Sequence, residues 1–197
     1  MEIDTEHLHY WMQAIRKSND HLRTLDAFWK GQIASKEWLI FNLEKFVKNP
    51  VSIEIHGGWV GVLSSLLFQS KIPIKKILSL DKDPSCEYIA NEMNRIEQMD
   101  NTFTAITSDM VEHTPISDVI INTSCEHITQ TQYELWLEKI DNQLLVLQSN
   151  NYNIDEHIRT AQNLKEFEEQ SKIQILWSGK KEFPLYTRWM IIGKKDQ

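Results

Sequence analysis

The spacing of apolar residues changes near residue 50, and the two spacings predict different elements. Over residues 1–50 it is helical: Leu8, Trp11, Met12 and Ile15 recur with a 3.6-residue period, and Trp38, Leu39, Phe41, Leu43 and Phe46 follow it more loosely. Between these groups Gly31 is placed to break one helix before Ser35 caps the next, and Asn49-Pro50 ends the helical stretch. From Val51 onward, short β-rich runs alternate with helical ones. Strands are predicted over Val51–Ile55, Ile74–Leu80, Phe103–Thr107, Asp118–Asn122 and Leu144–Gln148, then Ile173–Trp177 and Trp189–Ile192. Helices are predicted over Trp59–Gln69, after Pro84, over Tyr133–Ile140, and along the stripe Ile158, Ala161, Leu164 and Phe167. The fourth and fifth strands are apolar without alternation, as strands covered on both faces are. The last two leave no room for a helix between them and must pair antiparallel. The pattern predicts an α/β fold: a seven-stranded, doubly wound, mostly parallel sheet with a C-terminal antiparallel hairpin over residues 51–197. A helical N-terminal cap, residues 1–50, completes one structural unit.

Composition narrows the class. A chain of 197 residues with 41% apolar and 25% charged residues suits one soluble globular domain. Two cysteines, Cys86 and Cys125, are too few for a disulfide framework, which predicts a reducing, cytoplasmic setting. No apolar run approaches the ~20 residues of a membrane span, and the acidic N-terminus lacks signal-peptide character. The net charge is −7, and residues 101–150 hold seven acids against one lysine. That balance argues against a nucleic-acid partner, whose affinity comes from clustered Lys and Arg, and suits a neutral or cationic small molecule better.

The chemistry gathers where strands end. His56-Gly57-Gly58-Trp59 follows the first strand, and glycine there lets the backbone approach a ligand closely. Asp81 closes the second strand, 24 residues after Gly57; such an acid can accept from both hydroxyls of a ribose, or it can cap the Pro84 helix beside Asp83. After the third strand, Asp109 can accept from an adenine amino group while Met110 packs on the ring. The fourth strand empties into Asn122-Thr123-Ser124-Cys125-Glu126-His127, and the fifth into Gln148-Ser149-Asn150-Asn151. The Gly-x-Gly-x-x-Gly of a nicotinamide-binding turn is absent. His113, Cys125, Glu126, His127 and His157 invite a metal, but they lack Cys-x-x-Cys or His-x-x-x-His spacing, so none is expected. Cys125 beside His127 has the parts of a nucleophile, although a buried cysteine is more often a small hydrophobe. Trp11, Trp29, Trp38 and Trp59 read as core, with Trp29 and Trp59 placed to line a pocket mouth.

Over residues 51–193 the chain resembles the class I S-adenosylmethionine-dependent methyltransferases in strand count, motif order and closing hairpin. In that family an acid precedes Gly-x-Gly-x-Gly; here Glu54 matches the acid and Gly58 the middle glycine, while His56 and Val60 stand at the outer glycine positions. The resemblance implies a cofactor site of Glu54, His56, Gly57, Gly58, Trp59, Asp81, Asp109 and Met110, with S-adenosyl-L-methionine as cofactor. It puts Asn122 beside the transferred methyl. Asn122 is then expected to orient the acceptor, and Glu126 or His127 to take its proton. The N-terminal cap is expected to close over the cleft, with Trp29 near Gly58. The altered glycine turn leaves a cofactor-binding sensor or pseudoenzyme as an alternative, and aminopropyl transfer or lyase chemistry with the same cofactor as another.

Overall fold

A computed structural model describes residues 4–196. Its strands are β1 (Val51–His56), β2 (Ile74–Asp81), β3 (Phe103–Thr107), β4 (Val119–Asn122), β5 (Leu144–Asn150), β6 (Ile173–Glu182) and β7 (Thr187–Lys195). They form one sheet in the order β3-β2-β1-β4-β5-β7-β6. The strands β1 to β5 are parallel, and β7 pairs antiparallel with both β5 and β6. Each predicted strand is present. The hairpin strands are longer than predicted because the outer stretch of β6 is polar and exposed, which an apolar run undercounts.

Helices cover both faces. They are α1 (Thr5–Lys17), α2 (His21–Asp26), α3 (Lys30–Leu43), α4 (Val62–Phe68), α5 (Pro84–Met93), α6 (Arg95–Met99), α7 (Gln130–Glu138) and α8 (Leu164–Ser171). On one face Ile53, Ile55, Ile77 and Ile121 bury against α4, α5 and the N-terminal helices; on the other Ile120, Leu145 and Leu147 bury against α7 and α8. Trp11, Ala14, Leu39 and Leu43 belong to the first core, and the Trp11 indole donates to Ser65 on α4 at 2.8 Å. The N-terminal helices therefore share a core with the sheet.

Helix boundaries differ most from the sequence reading in two places, while α4 starts three residues later than expected and α7 three residues earlier. Gly31 and Ser35 lie inside α3; the chain breaks earlier, where Asp20 accepts from the Arg23 amide and caps α2, and again at Trp29. Ile158 and Ala161 are not helical. Asn163 caps α8 by accepting from Glu166 N, and the segment before it is pinned to the sheet. The Ile158 and Arg159 amides donate to the Glu126 carbonyl, and Ala161 N to Asn150 O. Ala161 reaches the core from this irregular path while Ile158 stays exposed, so their helical spacing arises by chance.

Between β1 and β4 the order in which strands join the sheet reverses, from outward through β2 and β3 to outward through β5, and the register aligns His56 with both Leu80 and Asn122. Gly57, Asp81 and Thr123 thus leave the sheet at one level, at the crevice where doubly wound sheets bind ligands.

Candidate functional site

The first turn rests on a buried polar network. Side chains alternate along β1, so Ile53 and Ile55 enter one core while Glu54 and His56 point to the opposite face, both fully buried. One Glu54 oxygen accepts from the Ile116 and Ser117 amides at 3.0 Å each; the other accepts from His113 Nε2 at 2.9 Å and lies 3.4 Å from His56 Nε2. His56 Nδ1 accepts from the Trp136 indole at 2.7 Å, which fixes the proton on Nε2. Burial alone raises a carboxyl's pKa, but the hydrogen bonds from His56, Ile116, Ser117 and His113 outweigh it and hold Glu54 at about 2. Burial pulls the His56 imidazole below its ordinary value, against the pull of Glu54. Glu54 and His56 do not line the cleft, so the expectation that they touch a cofactor is corrected: they anchor the turn from beneath.

Above them the backbone tightens. The Gly57 and Gly58 amides donate to the Leu80 carbonyl at 2.9 and 3.0 Å, drawing the turn over the end of β2. Gly57 has φ 71°, a left-handed conformation that favours glycine, and a Cβ on Gly58 would lie 1.9 Å from Ser79 Oγ. Trp59 is left-handed as well, at φ 50°. Asp81 holds this strained turn: its Oδ2 accepts from Trp59 N at 2.9 Å and its Oδ1 from Asp83 N at 3.0 Å. Each oxygen keeps a further lone pair. The helix-capping role falls to Asp83, whose side chain accepts from Ser85 N.

A cavity of about 620 Å³ opens at this point, lined by Gly57, Gly58, Trp59 and Asp81 on one side. A smaller cavity of about 130 Å³ adjoins it, and Gly57, Asp81, Asp109, Met110, Ser124 and His127 line it. The sequence-predicted residues Gly57, Gly58, Trp59, Asp81, Asp109 and Met110 therefore do face connected space. Asn122 does not. It is fully buried, its Oδ1 accepts from Ser124 N at 2.9 Å, and its Nδ2 contacts Met110 Sδ at 3.4 Å. It shapes the loop after β4 instead of presenting an amide to the cleft. Cys125 is also sealed off, and burial pushes its thiol up to about 12, which removes it as a nucleophile.

The other end of the cleft is built from segments distant in sequence. Glu126 and His127 come from the loop after β4, Gln148 and Asn150 from β5, Tyr152, Glu156 and His157 from the irregular segment before α8, and Arg188 from β7. Helices α2 and α3 add Arg23, Ala27, Gln32, Ser35 and Lys36. Trp29 is 68% exposed, with its indole on Asp26, and is not among the lining residues. The N-terminal helices do wall the cleft, but through the polar residues of α3. Lys36 is half-buried there; burial, with the Arg188 charge adding to it, lowers its ammonium to about 7. Arg188 is buried, and its Nε has no partner. Lys36, Arg188 and Tyr152 have no signal in the sequence, because nothing in the local pattern of α3, β7 or the irregular segment marks a cleft; His157 is visible there only as a possible metal ligand without ligand spacing.

No family model and no curated protein matches the chain. Solved structures do. The magnesium protoporphyrin IX methyltransferase of Synechocystis, with bound S-adenosylhomocysteine, is similar at 12% identity and a TM-score of 0.64, over 98% of this chain and 95% of that one. The N-methyltransferase NodS of Bradyrhizobium japonicum, in complex with S-adenosylhomocysteine, is similar at 10% identity and a TM-score of 0.68, over 95% and 99%. The small RNA methyltransferase HEN1 matches at 14% identity and a TM-score of 0.65, over 83% of this chain and 25% of that one. The fold is that of the class I S-adenosylmethionine-dependent methyltransferases.

Proposed function

We propose that the protein is an S-adenosylmethionine-dependent methyltransferase acting on a small molecule. One observation carries the reading: the two oxygens of Asp81, each with a lone pair to spare, face the same cleft as the Gly57-Gly58 turn, where the strand order switches between β1 and β4. Two vicinal hydroxyls of a ribose match that acceptor pair. Asp109 and Met110 line the adjoining cavity, where an adenine amino group and ring face would meet a carboxylate and a thioether. The cofactors present in the similar structures, S-adenosylmethionine and S-adenosylhomocysteine, carry both groups.

S-adenosylmethionine supplies an electrophilic methyl on its sulfonium when bound. The chain's task is then to hold an acceptor in line, keep water away and offer lone pairs to its polar hydrogen. Glu126 and His127 offer them: His127 Nδ1 lies 3.1 Å from the Glu156 carbonyl, so Nε2 keeps the lone pair. The cleft wall sets Arg23, Arg188 and the partly neutral Lys36 beside Asp81, Glu126 and Glu156, so the acidic run of sequence does not by itself select a cationic acceptor. The overall acid excess, 28 against 21, speaks against a polyanionic one. Among the described residues no helix is long and apolar enough to cross a membrane.

Calorimetric titration with S-adenosylmethionine and S-adenosylhomocysteine tests the reading. Asp81→Ala removes two charge-assisted hydrogen bonds of about 1.5–3 kcal/mol each, so binding should weaken at least about tenfold while the fold survives. No binding by the unaltered chain, or an unchanged Kd in the variant, overturns it. Turnover with fractionated metabolite pools then identifies the acceptor.

A further inference from the structure

We propose that Glu126, His127 and His157 form a site for a divalent transition-metal ion at the acceptor end of the cleft, where an oxygen atom of the acceptor completes the coordination. This deepens the methyltransferase reading and rests on it only for the nature of the acceptor. One ligating atom from each of the three residues lies within 4.8 Å of the others.

Three observations favour an ion here. The first is the protonation of the rings. His127 Nδ1 lies 3.1 Å from the Glu156 carbonyl and His157 Nδ1 lies 2.7 Å from the Tyr152 carbonyl. A carbonyl only accepts, so each Nδ1 carries the proton and each Nε2 keeps its lone pair, the arrangement that a carbonyl behind the ring imposes on metal-ligating histidines.

The second is an unsatisfied carboxylate. Glu126 is 2% exposed; one oxygen accepts from Asn150 Nδ2 and faces Arg188 Nη2 at 3.8 Å, while the other is buried without any partner. A buried carboxylate oxygen with an empty coordination sphere is costly, and a cation beside it removes that cost. The third is the scaffold. The Ile158 and Arg159 amides both donate to the Glu126 carbonyl, at 2.9 and 3.0 Å, and tie the segment that carries His157 to the loop that carries His127.

The other cluster of the same composition, Glu54, His56 and His113, shows what a site without an ion looks like. There both carboxylate oxygens accept hydrogen bonds, and His56 directs its N–H, not a lone pair, at Glu54. At the Glu126 cluster each imidazole keeps a free lone pair and one carboxylate oxygen has no partner. Ligand atoms around one ion stand about 3–3.5 Å apart, so the 4.8 Å spread closes with small turns of the imidazoles, one exposed and one half-buried. Two imidazoles and one carboxylate suit Zn²⁺, Co²⁺, Fe²⁺ or Mn²⁺ better than Mg²⁺ or Ca²⁺, which prefer oxygen donors throughout. Three protein ligands leave positions open, and an acceptor oxygen held there would be polarised by the ion. The His127 lone pair then serves the metal, which lowers the pKa of the acceptor oxygen, and the proton passes to solvent water at the exposed side of His127 instead of to the imidazole.

The test uses the full chain without an affinity tag, stripped by a chelator and titrated with Co²⁺, followed by visible absorption and calorimetry in the absence of any nucleoside. One equivalent should bind, with Mn²⁺ weaker and Mg²⁺ not detected. His127→Ala and His157→Ala, both reachable from solvent and tolerant of folding, should each weaken Co²⁺ binding at least about tenfold, whereas His113→Ala should leave it unchanged. Absence of saturable Co²⁺ binding, unaltered wild-type affinity in either histidine variant, or loss through His113→Ala overturns the site. S-adenosylhomocysteine titrated into the metal-free protein separates the two readings. Its binding without a Co²⁺ site leaves the methyltransferase reading standing alone, and a Co²⁺ site with no nucleoside binding leaves the metal alone.

Discussion

Replacing Glu54 by glutamine should cost stability in a pH-dependent way. The Glu54 carboxyl is held at about 2 against an ordinary value of 4.5, a depression corresponding to about 3 kcal/mol of folding free energy near neutral pH. Glutamine can still accept from the Ile116 and Ser117 amides through its carbonyl. Its amide nitrogen, however, faces His56 Nε2, whose proton is fixed because the Trp136 indole occupies Nδ1. One buried N–H loses its acceptor, adding about 1–3 kcal/mol. The expected loss is therefore about 3–6 kcal/mol near pH 7, read as a shift in the urea midpoint by tryptophan fluorescence. The sign with pH follows from the depressed value. The carboxylate's contribution is fully present above 4.5 and disappears as pH falls toward about 2, so the gap between wild type and Glu54→Gln should narrow over that window. Asp4, Asp83 and Asp118, whose values are also lowered, remain in both proteins and cancel in the difference. A variant within about 1 kcal/mol of wild type near pH 7, or a gap that does not change on acidification, would refute the reasoning.

Gly58→Ala would push a methyl to 1.9 Å from Ser79 Oγ and should lower stability by about 1–3 kcal/mol; the double variant with Ser79→Ala should regain part of this in a melting experiment, and no recovery would show that the turn itself, not the contact, is limiting. Asn122→Ala frees Ser124 N and the Met110 thioether, so S-adenosylhomocysteine affinity should fall about five- to thirtyfold, the value of one or two lost hydrogen bonds. A loss of turnover with unchanged affinity would instead restore Asn122 as a group that touches the acceptor. Lys36 has a folded-state value near 7 against 10.5, so the fold favours the neutral amine and stability should rise with pH between those values. Lys36→Met should abolish that rise, and an identical pH profile in the variant would show that the ammonium is well solvated in the cleft.

The strands were legible because their chemistry is local. Val119, Ile120 and Ile121 are buried on both faces and must all be apolar, so a short run of sequence reports them. Asp81 and the two glycines were legible because strand ends in such sheets meet at one level. Glu54 and His56 misled for the opposite reason. A polar residue at a strand end ordinarily reaches a ligand, and only the approach of His113, Ile116, Ser117 and Trp136 from later in the chain turns these two inward. Glu126 and His157, 31 residues apart, meet because an extended segment crosses the strand ends. Its apolar residues happen to fall at helical intervals, which hid its path and with it the meeting of His157 with Glu126. The wall contributed by Lys36 and Arg188 depends on how α3 docks beside β7, a tertiary fact with no signature in either stretch.

The two thiols have a use unrelated to catalysis. Cys86, on α5, is pushed up to about 11 by burial and Cys125 to about 12; they are the chain's only cysteines and are at most 1% exposed. Alkylating reagents attack thiolate, so neither sulfur should react until its surroundings open. Cys86 belongs to a helix on the face that α1 shares, and Cys125 to the core beneath α7 on the other. The native protein thus carries one silent reporter on each side of its sheet. The ratio of their labelling rates under mild denaturant would show which layer lifts away first, without adding a probe or changing a residue.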